Sequence, residues 1–237
     1  MTDQKQDPNL ATIVHTSQGN YPVIVGRDVI DDLGLELQKT GQQGRAFIVA
    51  DEVMFSNPVR RAQEALERGG YETHVLAMEI GESSKNIATL EVVYSWLADR
   101  RAERGDVVVA MGGGGIGDLV GFVAATWLRG VSVVQVPTSL TAMVDSSIGG
   151  KTGVNLPQGK NLLGAFHQPK LVVQDIVHLE TLPPREMAAG WAEAVKHGLI
   201  LDADLLDTFE RLAPQMVALE GDSPVEAIRR SVAIKGD

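Results

Sequence analysis

The chain has no cysteine among its 237 residues. Disulfide scaffolds, thiolate metal sites and thiol nucleophiles are therefore excluded. Aromatic side chains are scarce at 5%, and 21 Lys and Arg face 31 Asp and Glu, a net charge of −10. A chain this acidic, with few rings for stacking on bases, is a poor partner for nucleic acid or an anionic membrane. No apolar run reaches transmembrane length, because Lys and Asp interrupt every long one. The opening MTDQKQDPNL has no apolar stretch of the kind a secretory signal needs, so the expected location is the cytoplasm. The length suits one large domain, or one domain and part of another.

Residues 1–9 read as a flexible tail. From residue 10, β-branched runs alternate with amphipathic stretches. The runs Ala11–His15, Pro22–Val25, Arg45–Ala50, Thr73–Met78, Asp106–Met111 and Val131–Val136 predict strands. Several are apolar without alternation, as strands of a parallel sheet covered on both faces are. Ile87, Leu90, Val93 and Leu97 share one helical face, and Asn57–Arg68 is likewise helical. The expectation is an α/β domain over residues 10–183, mostly parallel with flanking helices. Pro183-Pro184 then breaks the pattern. Only helices follow, at Arg185–Leu201, Asp204–Leu219 and Pro224–Lys235. Residues 184–237 are expected to be the first part of a helical domain that is incomplete here.

Asp106–Asp118 reads as strand, glycine loop, helix, and Gly112, Gly114 and Gly117 fit G-x-G-x-x-G. Such glycines let backbone N–H groups approach a pyrophosphate at a helix N-terminus. The acidic residue that would hold a ribose does not follow the next strand, as it does in the usual dinucleotide fold. Asp51 and Glu82, each after an earlier strand, are the candidates, so the loop reads as a dinucleotide site of non-standard order, the alternative being a tight strand–helix turn without ligand. Residues 146–174 contain no Asp or Glu but carry Lys151, Lys160, His167 and Lys170 among five glycines. This loop-rich island is either a pocket for phosphate or carboxylate or a solvated segment. In Gly190–His197, Glu193 shares a helix face with Lys196 and His197. The spacing permits a metal ligand pair, and it equally makes an ordinary i,i+4 pair.

Longer motifs carry a resemblance. Gly112–Asp118 with the following Leu-Val-Gly-Phe-Val-Ala-Ala-Thr-Trp-Leu-Arg-Gly130 resembles the 3-dehydroquinate synthase family. So do Val136–Asn155, Gly159–Pro169, Thr181–Glu186 and Gly190–Lys196. The resemblance implies an enzyme that uses NAD as a returned cofactor, together with a divalent metal, zinc or cobalt. Its substrate would be a small anionic sugar phosphate, 3-deoxy-D-arabino-heptulosonate 7-phosphate (DAHP), converted to 3-dehydroquinate and phosphate in the shikimate route to aromatic amino acids.

By the same resemblance Asp51, Gly81, Glu82 and Lys85 would hold the adenosine half of NAD. Gly114, Gly115, Ile116, Gly117 and Asp118 would take its pyrophosphate and nicotinamide. Thr138, Ser139, Lys151, Lys160 and His178, Leu179, Glu180 and Thr181 would complete that pocket. Asp145, Lys151, Lys160, Asn161 and Lys196 would face substrate, and Glu193 would ligate the metal. Arg129 would reach the substrate phosphate of a neighbouring subunit, which implies a homodimer. The family's other two metal ligands are histidines further along the helical domain. Two positions depart mildly from its pattern, Gly115 and Thr141. The competing readings are a metal-dependent NAD polyol dehydrogenase of the same architecture and a non-catalytic NAD-binding fragment.

Overall fold

The computed structural model describes residues 7–54, 57–79 and 81–237. Of the expected tail, residues 1–6 lie outside the described residues. Its last part is tied down: Asp7 accepts from the backbone of Asn9 and from Lys39, and Pro8 O accepts from Arg229.

Among the described residues nine strands and seven α-helices follow in the order β1 (Leu10–Thr16), β2 (Gly19–Gly26), α1 (Leu33–Lys39), β3 (Ala46–Asp51), α2 (Pro58–Arg68), β4 (Thr73–Met78), α3 (Ile87–Asp99), β5 (Val107–Gly112), α4 (Gly114–Thr126), β6 (Ser132–Pro137), β7 (Lys151–Leu156), β8 (Gly159–Phe166), β9 (Leu171–Asp175), α5 (Pro184–Leu201), α6 (Ala203–Ala218) and α7 (Ser223–Gly236). Seven strands form one sheet in the order β1-β2-β9-β6-β5-β3-β4, antiparallel only between β1 and β2. Among the described residues no helix is long and apolar enough to cross a membrane.

Side chains that alternate along each strand divide the core by face. Ala46, Ile48, Ala50, Val107, Val109 and Met111 pack with α1 and α2. Phe47, Val49, Val108, Ala110 and Val133 pack on the other face with α3 and α4. Further along that second face, Val23, Val25 and Val172 meet a short π-helix, Ala142–Ser146, and the helices α5, α6 and α7. The helices after Pro183 therefore bury Met187, Trp191, Phe209, Ile228 and Val232 in one cluster with the sheet. The run of helices starts where the sequence pattern changes, but its core is continuous with that of the α/β part.

Three strands carry no clear sequence pattern. β9 is a five-residue run that fills the sheet between β2 and β6, every residue buried. β7 and β8 turn the expected loop of the acid-free island into an antiparallel hairpin. Its glycines are a packing requirement: a Cβ on Gly164 would sit 2.1 Å from Thr152 O. Glycine weakens strand propensity, so the residues that let the two chains close also hid the strands.

Candidate functional site

The sheet has a topological switch between β3 and β5. The chain leaves β3 through α2 to β4 on one side and leaves β5 through α4 to β6 on the other. The two loops diverge and leave a crevice at the carboxyl ends of the strands, where α/β sheets bind ligands. Asp51 ends β3 on one side of it, and the glycine run follows β5 on the other. Gly113, in extended backbone, caps α4. Within α4 the Gly117 N–H is bonded back to Gly113 O at 3.2 Å. The N–H groups of Gly114, Gly115 and Ile116 precede that first bond and are left for an anion. The Ile116 side chain is buried in the core, so this residue can offer only its backbone.

The other cofactor positions predicted from sequence lie at the same edge. Gly81 and Glu82 follow β4, Thr138 and Ser139 follow β6, and His178 to Thr181 form the short helix after β9. Thr138 N–H donates to Gly112 O at 2.9 Å and ties the β6 exit to the glycine loop. Leu179 is core, and the exposed Glu180 pairs with Arg27 at 3.6 Å. His178 is buried with neither ring nitrogen bonded to a described protein atom. Burial holds its pKa below the usual imidazole value, against the pull of Asp175.

Beside the glycine loop opens a cleft of about 450 Å³ lined by Asp118, Asp145, Ser146, Lys151, Asn161 and Phe166, among others. Buried Lys85 joins its walls: Nζ donates to Asp118 Oδ2 at 2.5 Å and to Asn161 Oδ1 at 2.6 Å. Burial pushes the Asp118 carboxyl up, more than the charge of Lys85 pulls it down. Asp145 stands opposite, on the π-helix. Burial pushes its carboxyl up too, but a hydrogen bond from Lys235 and the charges of Lys151 and Lys196 outweigh this and hold it low. Lys235 Nζ lies 2.7 Å and Lys151 Nζ 4.0 Å from Asp145 Oδ1.

Lys235 is the site residue that sequence reasoning missed. It sits on the last helix, and no local spacing links it to residue 145. The only signal was its place in the last turn of an amphipathic helix.

Glu193 and Lys196 come from α5, which approaches the π-helix closely because residue 190 is glycine. A Cβ there would lie 2.4 Å from Leu140 Cβ. Glu193 pairs with Lys196, and His197 Nε2 is 4.0 Å away. Among the described residues no three His, Asp or Glu side chains gather as a metal site. One carboxylate and a neighbouring imidazole fall short of the three protein ligands a catalytic zinc takes.

Of the predicted substrate residues, Lys196 does not line the cleft although its charge reaches Asp145, and Lys160 and Arg129 lie away from it. Lys160 is exposed and pairs with Glu82, 3.3 Å away. Its charge and the hydrogen bond from Asn155, the larger influence, hold the Glu82 carboxyl low. Arg129 is exposed beyond the far end of the 13-residue α4, about 20 Å along the helix from the glycine loop.

Comparison with known proteins places this geometry. Residues 75–189 match the family model described as 3-dehydroquinate synthase N-terminal. The 3-dehydroquinate synthase of Roseobacter denitrificans is 46% identical over 217 residues, covering 92% of this chain and 59% of that protein. That of Citrifermentans bemidjiense is 40% identical over 222 residues, covering 94% and 61%. The 2-epi-5-epi-valiolone synthase ValA from Streptomyces hygroscopicus, solved with NAD+ and Zn2+ bound, superposes with a TM-score of 0.82 at 30% identity, covering 94% of this chain and 62% of that one. A 2-deoxy-scyllo-inosose synthase complexed with carbaglucose-6-phosphate, NAD+ and Co2+ gives 0.83 at 26% identity, covering 95% and 61%. The chain spans about three fifths of the length of the curated relatives it matches. Over the residues they share, the chain belongs to the 3-dehydroquinate synthase family.

Proposed function

We propose that this chain forms the NAD-binding wall and part of the substrate cleft of a 3-dehydroquinate synthase acting on DAHP. The observation that carries the reading is the meeting of two features at one crevice: the free N-terminal amides of α4 at the sheet's switch point, and the lysine-lined cleft beside them. The amides of Gly114, Gly115 and Ile116 suit a pyrophosphate, and Asp51 across the crevice suits a ribose. The parts present therefore fit NAD, which when bound takes a hydride from an alcohol and returns it.

The chain's own groups bind and orient. Lys151, Lys196 and Lys235 offer three ammonium groups around Asp145 for the carboxylate and phosphate of a sugar acid phosphate. Asp145, held ionised, keeps those ammonium groups together until an anion arrives. Lys85 fixes Asp118 beside the glycine loop and Asn161 on the hairpin, so cofactor and substrate walls share one buried cation. Glu193 fits a metal as one ligand only. Arg129, on the outer end of α4, is proposed to serve the cleft of a second copy in a homodimer.

Two measurements test the reading. Calorimetry on the unmodified chain should show saturable NAD binding, and its absence would overturn the cofactor assignment. Phosphate release from DAHP with NAD and zinc or cobalt should be slower by several orders of magnitude for residues 1–237 than for a family member that supplies all metal ligands. Full-rate turnover would show that the metal site is complete within these residues.

A further inference from the structure

β9 lies in the middle of the sheet, and Leu171, Val172 and Val173 are apolar as that position demands. The fourth residue is Gln174, with none of its surface exposed. It pairs in register with Val25 of β2 and shares a strand face with Val172, which packs under the π-helix and α5–α7. An amide in such a place needs partners. Its Nε2 donates to Met143 O at 2.8 Å and reaches Ser147 Oγ at 3.5 Å, while Oε1 has no partner among the described atoms. Half of the amide is therefore unsatisfied, and an apolar residue of equal length would avoid that cost.

The bonded carbonyl explains the arrangement. In the π-helix Ala142–Ser146 the Ser147 N–H reaches Ala142 O at 3.1 Å, five residues back. Continuing the pattern would send the Ile148 N–H to Met143 O. That N–H bonds Asp145 O instead, at 3.2 Å. The series of π-type acceptors thus stops at Ala142, and the next carbonyl, Met143 O, takes the Gln174 amide. Asp145 is two residues further on. It faces Lys235 on α7 and Lys151 on β7, and it also feels Lys196 and His197 on α5 and Asp118 on α4. π-Bulges of this kind are frequent at functional sites.

We propose that Gln174 is a positioning residue: by holding Met143 O from the sheet below, it ends the π-turn where the Asp145 carboxylate points into the cleft. The contact to Ser147 Oγ braces the other side of the same turn. The claim that this matters for catalysis rests on the functional reading above, but the positioning itself does not.

The test uses the unliganded full chain, so a failure of NAD or DAHP binding does not bear on it. Gln174→Met keeps the length and removes the donor. Carboxyl carbon NMR, with Asp145→Asn to assign the resonance, should show Asp145 titrating higher in Gln174→Met by about 0.5–1 pH unit, a three- to tenfold change in proton affinity. Asp31, paired with Arg61 and next to residues that pack on the opposite face of the sheet, should titrate as before and serves as the internal reference. A purely structural glutamine would lower the melting temperature without moving Asp145 relative to Asp31, and that result would overturn the proposal. Should the variant fail to fold, the unmodified chain decides. The Gln174 Nε2 protons should exchange slowly and show a coupling across the hydrogen bond to the Met143 carbonyl carbon. Rapid exchange with no coupling would overturn it.

Discussion

Two carboxylates face one cleft and are treated oppositely. Asp118, on the first turns of α4, has one buried cation, Lys85, and burial prevails, so its carboxyl is pushed up. Asp145, on the π-helix, is half buried among three lysines, and the cations prevail, so its carboxyl is held low. Burial and charge compete at both; the number of cations and the openness to water decide the outcome. The α4 side is an apolar, closely packed wall suited to a cofactor held in one pose. The π-helix side is an electrostatic basin suited to an anion that comes and goes.

The largest expected effect breaks the Asp118 side. Lys85→Met leaves the part-buried Asp118 without its cation and frees Asn161, and should cost about 3 kcal/mol in urea unfolding. A loss below about 0.5 kcal/mol would mean that Lys85 does not tie the two walls. Gly114→Val comes next and tests their closeness. A Cβ at Gly114 would already lie 3.0 Å from Ser146 Oγ. The branched side chain should also cover the α4 amides and weaken NAD binding by about a hundredfold, some 2.7 kcal/mol. Unchanged calorimetric affinity would remove the dinucleotide from this loop.

Lys235→Met removes the closest cation of Asp145 and should cost about 1 kcal/mol at pH 7. The sign over pH separates the two carboxylates. The Asp145 pKa is depressed on folding, so its stabilisation is present above the ordinary carboxylate range and is lost as pH falls through the folded value. The difference between wild type and Lys235→Met should therefore shrink toward low pH. The Asp118 pKa is raised, so its favourable contribution belongs to pH below the ordinary range and disappears as pH rises through the folded value. A Lys235→Met deficit that stays constant from pH 7 to pH 3 would contradict the assignment. The smallest effect is expected at Lys160→Met. Its exposed pair with Glu82 should contribute no more than about 0.5 kcal/mol to stability, whatever it does to ligand affinity.

Much of the cofactor wall is legible along the chain. The first six strands and α2 to α7 follow from apolar runs and helical periodicity. Gly112–Asp118 announces its own strand, loop and helix, because a close turn against a helix N-terminus needs glycine at fixed spacing. The basin is not legible in that way. β7 and β8 are masked by the glycines that let them pair, and α1 is one short amphipathic segment. β9 is a five-residue run whose last two residues, Gln174 and Asp175, are polar but fully buried. Asp175 accepts from the backbones of Asp28, Ile30 and Val177, and Gln174 donates to Met143. Apart from the local cap on Val177, these pairings link residues far apart in sequence, and no local pattern encodes them.

By itself the sequence determined the alternation of strands and helices, the family motifs and the glycine turn, since each depends on neighbours within a few residues. It also located the acid-free island, because charge composition needs no folding to be read. Only the tertiary structure decided that Asp51 and the glycine loop flank one crevice, because strand order is set by crossovers and not by local propensity. Only it placed Lys235 on Asp145, 90 residues earlier in the chain, through the packing of α7 against the π-helix. It also paired Lys160 with Glu82. The physical reason is the same in each case. Hydrophobic periodicity selects the elements, but the direction of a charged side chain depends on which elements the shared core draws together.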